Sequence, residues 1–122
     1  STGKLRWSHS TGGYVYGSPA VAGTSVLVGS YSRRFSALDA ATGAVRWTFK
    51  ANDRISGSAT VIRGVVYFAT LKQRTYGLDL RTGKQVWTFP DGKYTPVVAD
   101  ATQLYVVGYT RVYGLAPPIK RR

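Results

Sequence analysis

The chain has 122 residues, about one domain by length, and its 17 Lys and Arg stand against 5 Asp and no Glu, for a net charge of +12. A small soluble domain typically carries roughly 2 to 8 net charges, so this excess concerns partners and solubility, not fold. Absent Cys excludes a disulfide scaffold, thiolate zinc, iron–sulfur centres and Cys catalysis, and a single His (His9) excludes a His-rich metal site.

The opening Ser1-Thr2-Gly3-Lys4 carries neither an initiator Met nor a signal peptide, which reads as a processed, truncated or excised chain. The first predicted element is a strand over 4–9, followed by a loop holding Gly12-Gly13, Tyr14 and Tyr16. Strands are then expected at 18–22, 26–31, 34–39 and 44–49, where short apolar or alternating runs are separated by Gly, Asp or basic turns. The same order returns at 57–62, 65–70, 75–80 and 85–89, and a third time at 95–99, 104–109 and 112–116. Pro117-Pro118 blocks further strand pairing, and Ile119-Lys120-Arg121-Arg122 is a short basic tail, so the C-terminus reads as genuine. Gly and Tyr are abundant, Glu and Met are absent, and no apolar run reaches the roughly 20 residues of a membrane helix.

These elements repeat every forty residues. Thr2-Gly3-Lys4-Leu5-Arg6-Trp7, Thr42-Gly43-Ala44-Val45-Arg46-Trp47 and Thr82-Gly83-Lys84-Gln85-Val86-Trp87 share one pattern. Ser18-Pro19-Ala20-Val21 matches Ser58-Ala59-Thr60-Val61 and Thr95-Pro96-Val97-Val98, and Val26-Leu27-Val28 matches Val66-Tyr67-Phe68 and Leu104-Tyr105-Val106. Phe35 to Asp39 matches Thr75 to Asp79 and a degenerate Val112 to Ala116. Four strands (A to D) per forty-residue unit is the arithmetic of a β-propeller blade, against an ordinary sandwich with coincidental turns. The fold class is therefore all-β, with three blades' worth of four-stranded antiparallel sheets. The chain divides into a lone outer strand (1–10), blades at 11–50 and 51–90, a three-stranded partial blade at 91–116 and the tail at 117–122.

The link Asp39-Ala40-Ala41-Thr42-Gly43 suits a tight hairpin, with the Asp carboxylate accepting turn N–H groups and Gly43 supplying positive φ. Trp47 and Trp87 then fall on strand D, where a large flat ring can wedge between blades, a burial worth a few kcal/mol at roughly 25 cal/mol per Å². A Trp could instead stack on a ligand, but recurrence at one position of every repeat favours packing. Ala37 to Trp47 reads AxDxxTGxxxW, Gly77 to Trp87 departs from it only at its first residue, and Thr2 to Trp7 is the back half of a third copy. This pattern resembles the tryptophan-docking motif of the PQQ-like, or quinoprotein-type, β-propeller repeats, over essentially the whole chain. The resemblance implies that Trp47 and Trp87 stack on a turn peptide of the adjacent motif, with Asp39, Thr42, Gly43, Asp79, Thr82, Gly83 and Trp7 completing the motifs. It also implies an extracytoplasmic location.

Propellers commonly close with 4 to 8 blades, so three should not close alone. Either the chain is the end of a longer propeller, or copies associate, each donating residues 4–9 to a partner's last blade. Two copies would give a head-to-tail homodimer of six blades. In propeller topology the D–A and B–C connections share one face, and the basic residues concentrate there: Arg33, Arg34, Lys72, Arg74 and Arg111 in B–C turns, Lys50, Arg54 and Lys93 in D–A loops. Asp53, Asp91 and the tyrosines Tyr14, Tyr16, Tyr31 and Tyr94 lie beside them. Arg33, Arg34, Arg54, Lys72, Arg74, Lys93 and Arg111 form a candidate anion-binding face for an anionic polymer, against the plain alternative of a solvated surface. No RNP, KH or helix-turn-helix signature marks dedicated nucleic-acid recognition.

Family resemblance raises a quinone-dependent dehydrogenase as the competing class, with Ca²⁺ on acidic and amide ligands, an Asp base and a vicinal Cys pair. One Asn (Asn52), no Glu, no Cys and scattered Asp residues do not furnish the 6 to 8 oxygens of a calcium site. The expectation is thus a non-catalytic binding or scaffolding module with no cofactor or metal of its own. A C-terminal fragment of a quinoprotein dehydrogenase, with its active site elsewhere, is the alternative. His9 stands where the other repeats have Phe49 and Phe89 and reads as a tolerated substitution at a strand end.

Overall fold

The computed structural model describes residues 3–92 and 97–116. Eleven strands and no helix form among the described residues, in three antiparallel sheets laid down in chain order. The first sheet holds β1 (Ala20–Ala22), β2 (Ser25–Gly29), β3 (Arg34–Asp39) and β4 (Val45–Lys50). The second holds β5 (Thr60–Ile62), β6 (Val65–Thr70), β7 (Arg74–Asp79) and β8 (Gln85–Phe89). The third holds β9 (Val98–Ala99), β10 (Leu104–Val107) and β11 (Val112–Leu115). Each sheet is a meander of strands that neighbour one another in sequence.

Local chemistry fixes the boundaries. A–B turns at Gly23 and Gly64 take positive φ, where Cβ is costly. Between the third and fourth strands of each full sheet the register shifts at Ala37/Leu38 and again at Gly77/Leu78, a bulge repeated forty residues apart. Alternation along each strand then assigns the faces. Leu27, Phe35 and Ala37 of the first sheet meet Val66, Phe68, Tyr76 and Leu78 of the second in one buried cluster. Phe35 and Phe68 stack at 4.3 Å with an interplanar angle of 1°. Tyr67 of the second sheet meets Val97, Leu104 and Val106 at the third, with Trp87 and Phe89 packed against them.

The structure corrects three sequence expectations. Residues 4–9 belong to no sheet among the described residues. The repeat gives them the outer position of a sheet other than β1–β4, so no ladder partner stands beside them. The A strands are shorter than predicted, beginning at Ala20, Thr60 and Val98. The Ser-Pro and Ser-Ala pairs before the first two belong to the incoming loops. The third repeat is also offset: Ala99 pairs with Leu104 as Val21 pairs with Val26 and Val61 with Val66. Ala99, not Val98, is therefore the counterpart of Val21 and Val61, and Val97 takes the place of Ala59 in the core. The predicted tail at 117–122 and residues 1–2 lie outside the described residues.

Candidate binding face

The two hairpins between third and fourth strands are built alike. Asp39 Oδ1 accepts from the Ala41 and Thr42 amides at 2.8 and 3.1 Å, and Asp79 Oδ1 from the Arg81 amide at 2.8 Å. Thr42 Oγ1 and Thr82 Oγ1 accept from the Ala44 and Lys84 amides. Gly43 and Gly83 adopt φ of +77° and +76° and donate to the Asp39 and Asp79 carbonyls. Their missing side chains matter twice, because a Cβ at Gly43 would meet the Trp7 ring and one at Gly83 the Trp47 ring, each at 2.5 Å. Trp7 Nε1 donates to the Ala40 carbonyl at 3.0 Å and Trp47 Nε1 to the Leu80 carbonyl at 2.8 Å. Each indole thus fastens one repeat to the turn of the next. Trp87 packs on Tyr67 and Phe89, and the segment where its turn would stand lies outside the described residues. Arg46, missed by sequence reasoning, bonds Asp39 Oδ2 and Ser25 Oγ. The Arg46 bond and the turn amides hold the Asp39 carboxyl below the usual carboxylate range.

On the opposite side of the sheets, the loops entering each blade are tied to the turns between its middle strands. The Tyr31 amide donates to the Tyr14 carbonyl at 2.8 Å, and forty residues later the Leu71 amide donates to the Arg54 carbonyl at 2.9 Å. The Ile55 amide reaches the Ser30 carbonyl and the Ala51 amide the Arg33 carbonyl, joining consecutive blades. Buried polar groups are satisfied within this layer. Ser30 Oγ meets Thr11 O and Ser32 Oγ, Thr70 Oγ1 donates to Asn52 Oδ1, and Thr75 Oγ1 donates to Asp91 O. Arg33 and Gln73 adopt positive φ in the B–C turns.

The loop face gathers Arg33, Arg34, Lys50, Arg54, Lys72, Arg74 and Arg111 among the described residues, all exposed except the half-buried Arg74. Lys93 and Tyr94 lie outside the described residues. The two acids of this face turn inward. Asp53 Oδ1 accepts from the Arg54 amide at 2.7 Å, with the guanidinium at 3.5 Å. Asp91 accepts from the Tyr113 hydroxyl at 2.6 Å and from the Gly92 and Tyr109 amides. These bonds, led by the Arg54 amide and the Tyr113 hydroxyl respectively, lower both carboxyl pKa values. Among the described residues, ion pairs form only at Arg46–Asp39 and Arg54–Asp53. Arg34 begins β3 opposite Lys50, and Arg74 Nη1 donates to Thr88 Oγ1.

Tyr14, Tyr16 and Tyr31 form a ring cluster on this face, with centroids 4.8 to 6.4 Å apart. The Arg54 guanidinium lies 5.3 Å from the Tyr31 ring centroid. His9 is exposed beside a groove of about 290 Å³ that also touches Arg34, Ser36 and Thr48. A larger cleft of about 610 Å³ lies on the other side, between Ser25 and Arg46 of one blade and Leu80 and Arg81 of the next.

No three of His, Cys, Asp and Glu come together among the described residues. The Asp53 and Asp91 carboxylates are engaged by the chain's own N–H and O–H groups, so this segment's donors do not fit a calcium-held quinone.

A family model described as "Outer membrane protein assembly factor BamB" matches residues 1–117. The chain belongs to this PQQ-like β-propeller repeat family. The crystal structure of BamB from Moraxella catarrhalis is 25% identical with a TM-score of 0.78, over 93% of this chain and 37% of that one. A europium-containing methanol dehydrogenase shares the fold at 23% identity and TM-score 0.71, over 91% of this chain and 23% of its own. A quinohemoprotein alcohol dehydrogenase from Comamonas testosteroni shares it at 21% identity and TM-score 0.64, over 77% and 17%. No curated protein matches. The chain thus spans about a third of the BamB chain and about a fifth of the dehydrogenases. No helix among the described residues is long and apolar enough to cross a membrane.

Proposed function

We propose that this chain is part of a non-catalytic, extracytoplasmic β-propeller that binds and scaffolds a partner through its loop face, with an anionic surface as the target. The observation that carries the reading is the inward turn of Asp53 and Asp91 beneath the outward cations. A face whose acids are consumed internally while its Arg and Lys reach solvent presents a positive field to incoming ligands. The BamB description supports a protein-assembly role outside the cytoplasm. The likeness to the dehydrogenases is one of fold, and fold does not carry chemistry with it.

Two measurements test this. Heparin binding should weaken steeply with added salt, since each neutralised charge releases counterions. Dye-linked alcohol oxidation with added quinone and Ca²⁺ should give no turnover, and any turnover by this chain contradicts the non-catalytic reading.

A second reading concerns self-association. Among the described residues the third sheet has three strands where the others have four, and residues 4–9 carry the fourth-strand pattern without a sheet. A second copy could supply that strand along the edge of β11, which carries no further strand among the described residues. Light scattering after size exclusion tests it: a dimer supports strand donation and a clean monomer removes it.

A further inference from the structure

The tyrosine cluster is the one part of the loop face that charge does not explain. Tyr14 and Tyr16 are 73% and 63% exposed although each ring touches two others. Clustered, exposed Tyr beside Arg is the composition of binding hot spots, because two χ angles order a large amphipathic ring at low entropic cost. We infer that Tyr14, Tyr16 and Tyr31, with Arg54 on their rim, form a docking site for an acidic peptide segment carrying aromatic side chains. This rests on the proposed binding role of the loop face and names its ligand class.

Three observations select a peptide. The rings pack on one another tilted by 51° to 68°, so they present exposed edges and faces in several directions to apolar and aromatic side chains, where a sugar or base would want a flat platform. Arg54 stands on the rim of the cluster, its guanidinium 5.3 Å from the Tyr31 ring centroid and 3.5 Å from the buried Asp53, and the exposed Arg33 follows Tyr31 by two residues, so two cations face one carboxylate. The remaining charge therefore complements acidic residues flanking the docked group. The cluster is also held in place before any ligand arrives. The Tyr31 amide bonds the Tyr14 carbonyl, the Ile55 amide bonds the Ser30 carbonyl, and Ser30 Oγ bonds the Thr11 carbonyl. Such preorganisation spares a ligand the cost of ordering the loops.

The test compares two fluorescent peptides of equal charge, Glu-Glu-Phe and Glu-Glu-Ser each repeated four times, with heparin as a polyanion reference. The Phe peptide is expected to bind about tenfold tighter than the Ser peptide or better, the scale of one hot-spot side chain. Tyr14→Ser with Tyr16→Ser should erase that difference and leave heparin and the Ser peptide unchanged. The single Tyr14→Ser variant, at an exposed ring, should lose part of it with an unaltered melting temperature. Equal affinity of the two peptides overturns the inference, and so does a difference that survives the double substitution. Binding of cellohexaose that the double substitution abolishes also overturns it, by assigning the cluster to sugars. In all three cases heparin binding persists, whereas loss of every anionic probe, heparin included, defeats the underlying loop-face reading itself.

Discussion

The indole of Trp47 lies on the peptide of Gly83, one repeat further along the chain, and its Nε1 donates to the Leu80 carbonyl at 2.8 Å. Trp7 and Gly43 stand in the same relationship forty residues earlier, with Nε1 on the Ala40 carbonyl. A glycine is required twice over, by φ and by the ring above it. This contact holds consecutive blades in register at their outer edge, while Phe35 and Phe68 do so nearer the middle. The loop face inherits its geometry from both.

Gly83→Ala is expected to destabilise the protein by about 1–3 kcal/mol, from the left-handed backbone and the displaced indole. Trp47→Ala should cost about 3–5 kcal/mol. Combined, they should cost less than their sum, because both remove the same contact. Urea unfolding of the four proteins checks this, and strict additivity would refute the coupling.

Phe35→Ala should cost about 3–5 kcal/mol, since the ring is buried between two sheets. Phe35→Leu should recover most of the volume yet lose the stacking on Phe68, leaving a deficit of about 0.5–1.5 kcal/mol. Thermal unfolding distinguishes the two substitutions.

Stability should fall in acid along a course set by the carboxylates. Asp100 is held at about 2, chiefly by the Thr102 amide, the Tyr105 hydroxyl and the Gln103 amide. Asp39, Asp53 and Asp91 are also lowered. A folded-state pKa below the unfolded value of 3.8 means that the unfolded chain binds protons first. The stabilisation is therefore complete above pH of about 4 and is lost as pH falls towards 2. Melting temperature against pH should be flat from neutrality to that point and then drop, and Asp100→Asn should drop less. At the alkaline end burial raises the Tyr67 pKa, so stability should fall as pH rises beyond the ordinary phenol value of 10.0.

Blade architecture was legible in the sequence because Thr-Gly-x-x-x-Trp returns every forty residues and the Asp39 and Asp79 turns have a fixed chemistry. Other features left no local trace. The one-residue offset at Ala99 depends on the pairing with Leu104, and Val98 beside it is an equally apolar match. Arg46 meets Asp39 beside the register shift at Ala37/Leu38, which no residue pattern announces. The basic loops were readable from topology. The inward bonds of Asp53 and Asp91 were not, since the donors are an adjacent amide and a hydroxyl 22 residues away. Tyr14, Tyr16 and Tyr31 could be placed on one face, but their mutual contact depends on the backbone bond from Tyr31 to Tyr14.

In the proposed function it is one face of these blades, and not the net charge of +12, that attracts the partner. Charge reversal on each face in turn tests it most directly. One variant carries Arg33→Glu, Arg34→Glu and Lys72→Glu on the loop face, and the other Arg63→Glu, Arg81→Glu and Lys84→Glu on the opposite turns. Both lower the net charge equally, and heparin affinity is measured against salt. The loop-face variant is expected to lose about tenfold or more in affinity and to flatten the salt slope by about three, with the turn-face variant close to the parent. Equal losses in the two variants, or a greater loss from the turn face, would contradict the account.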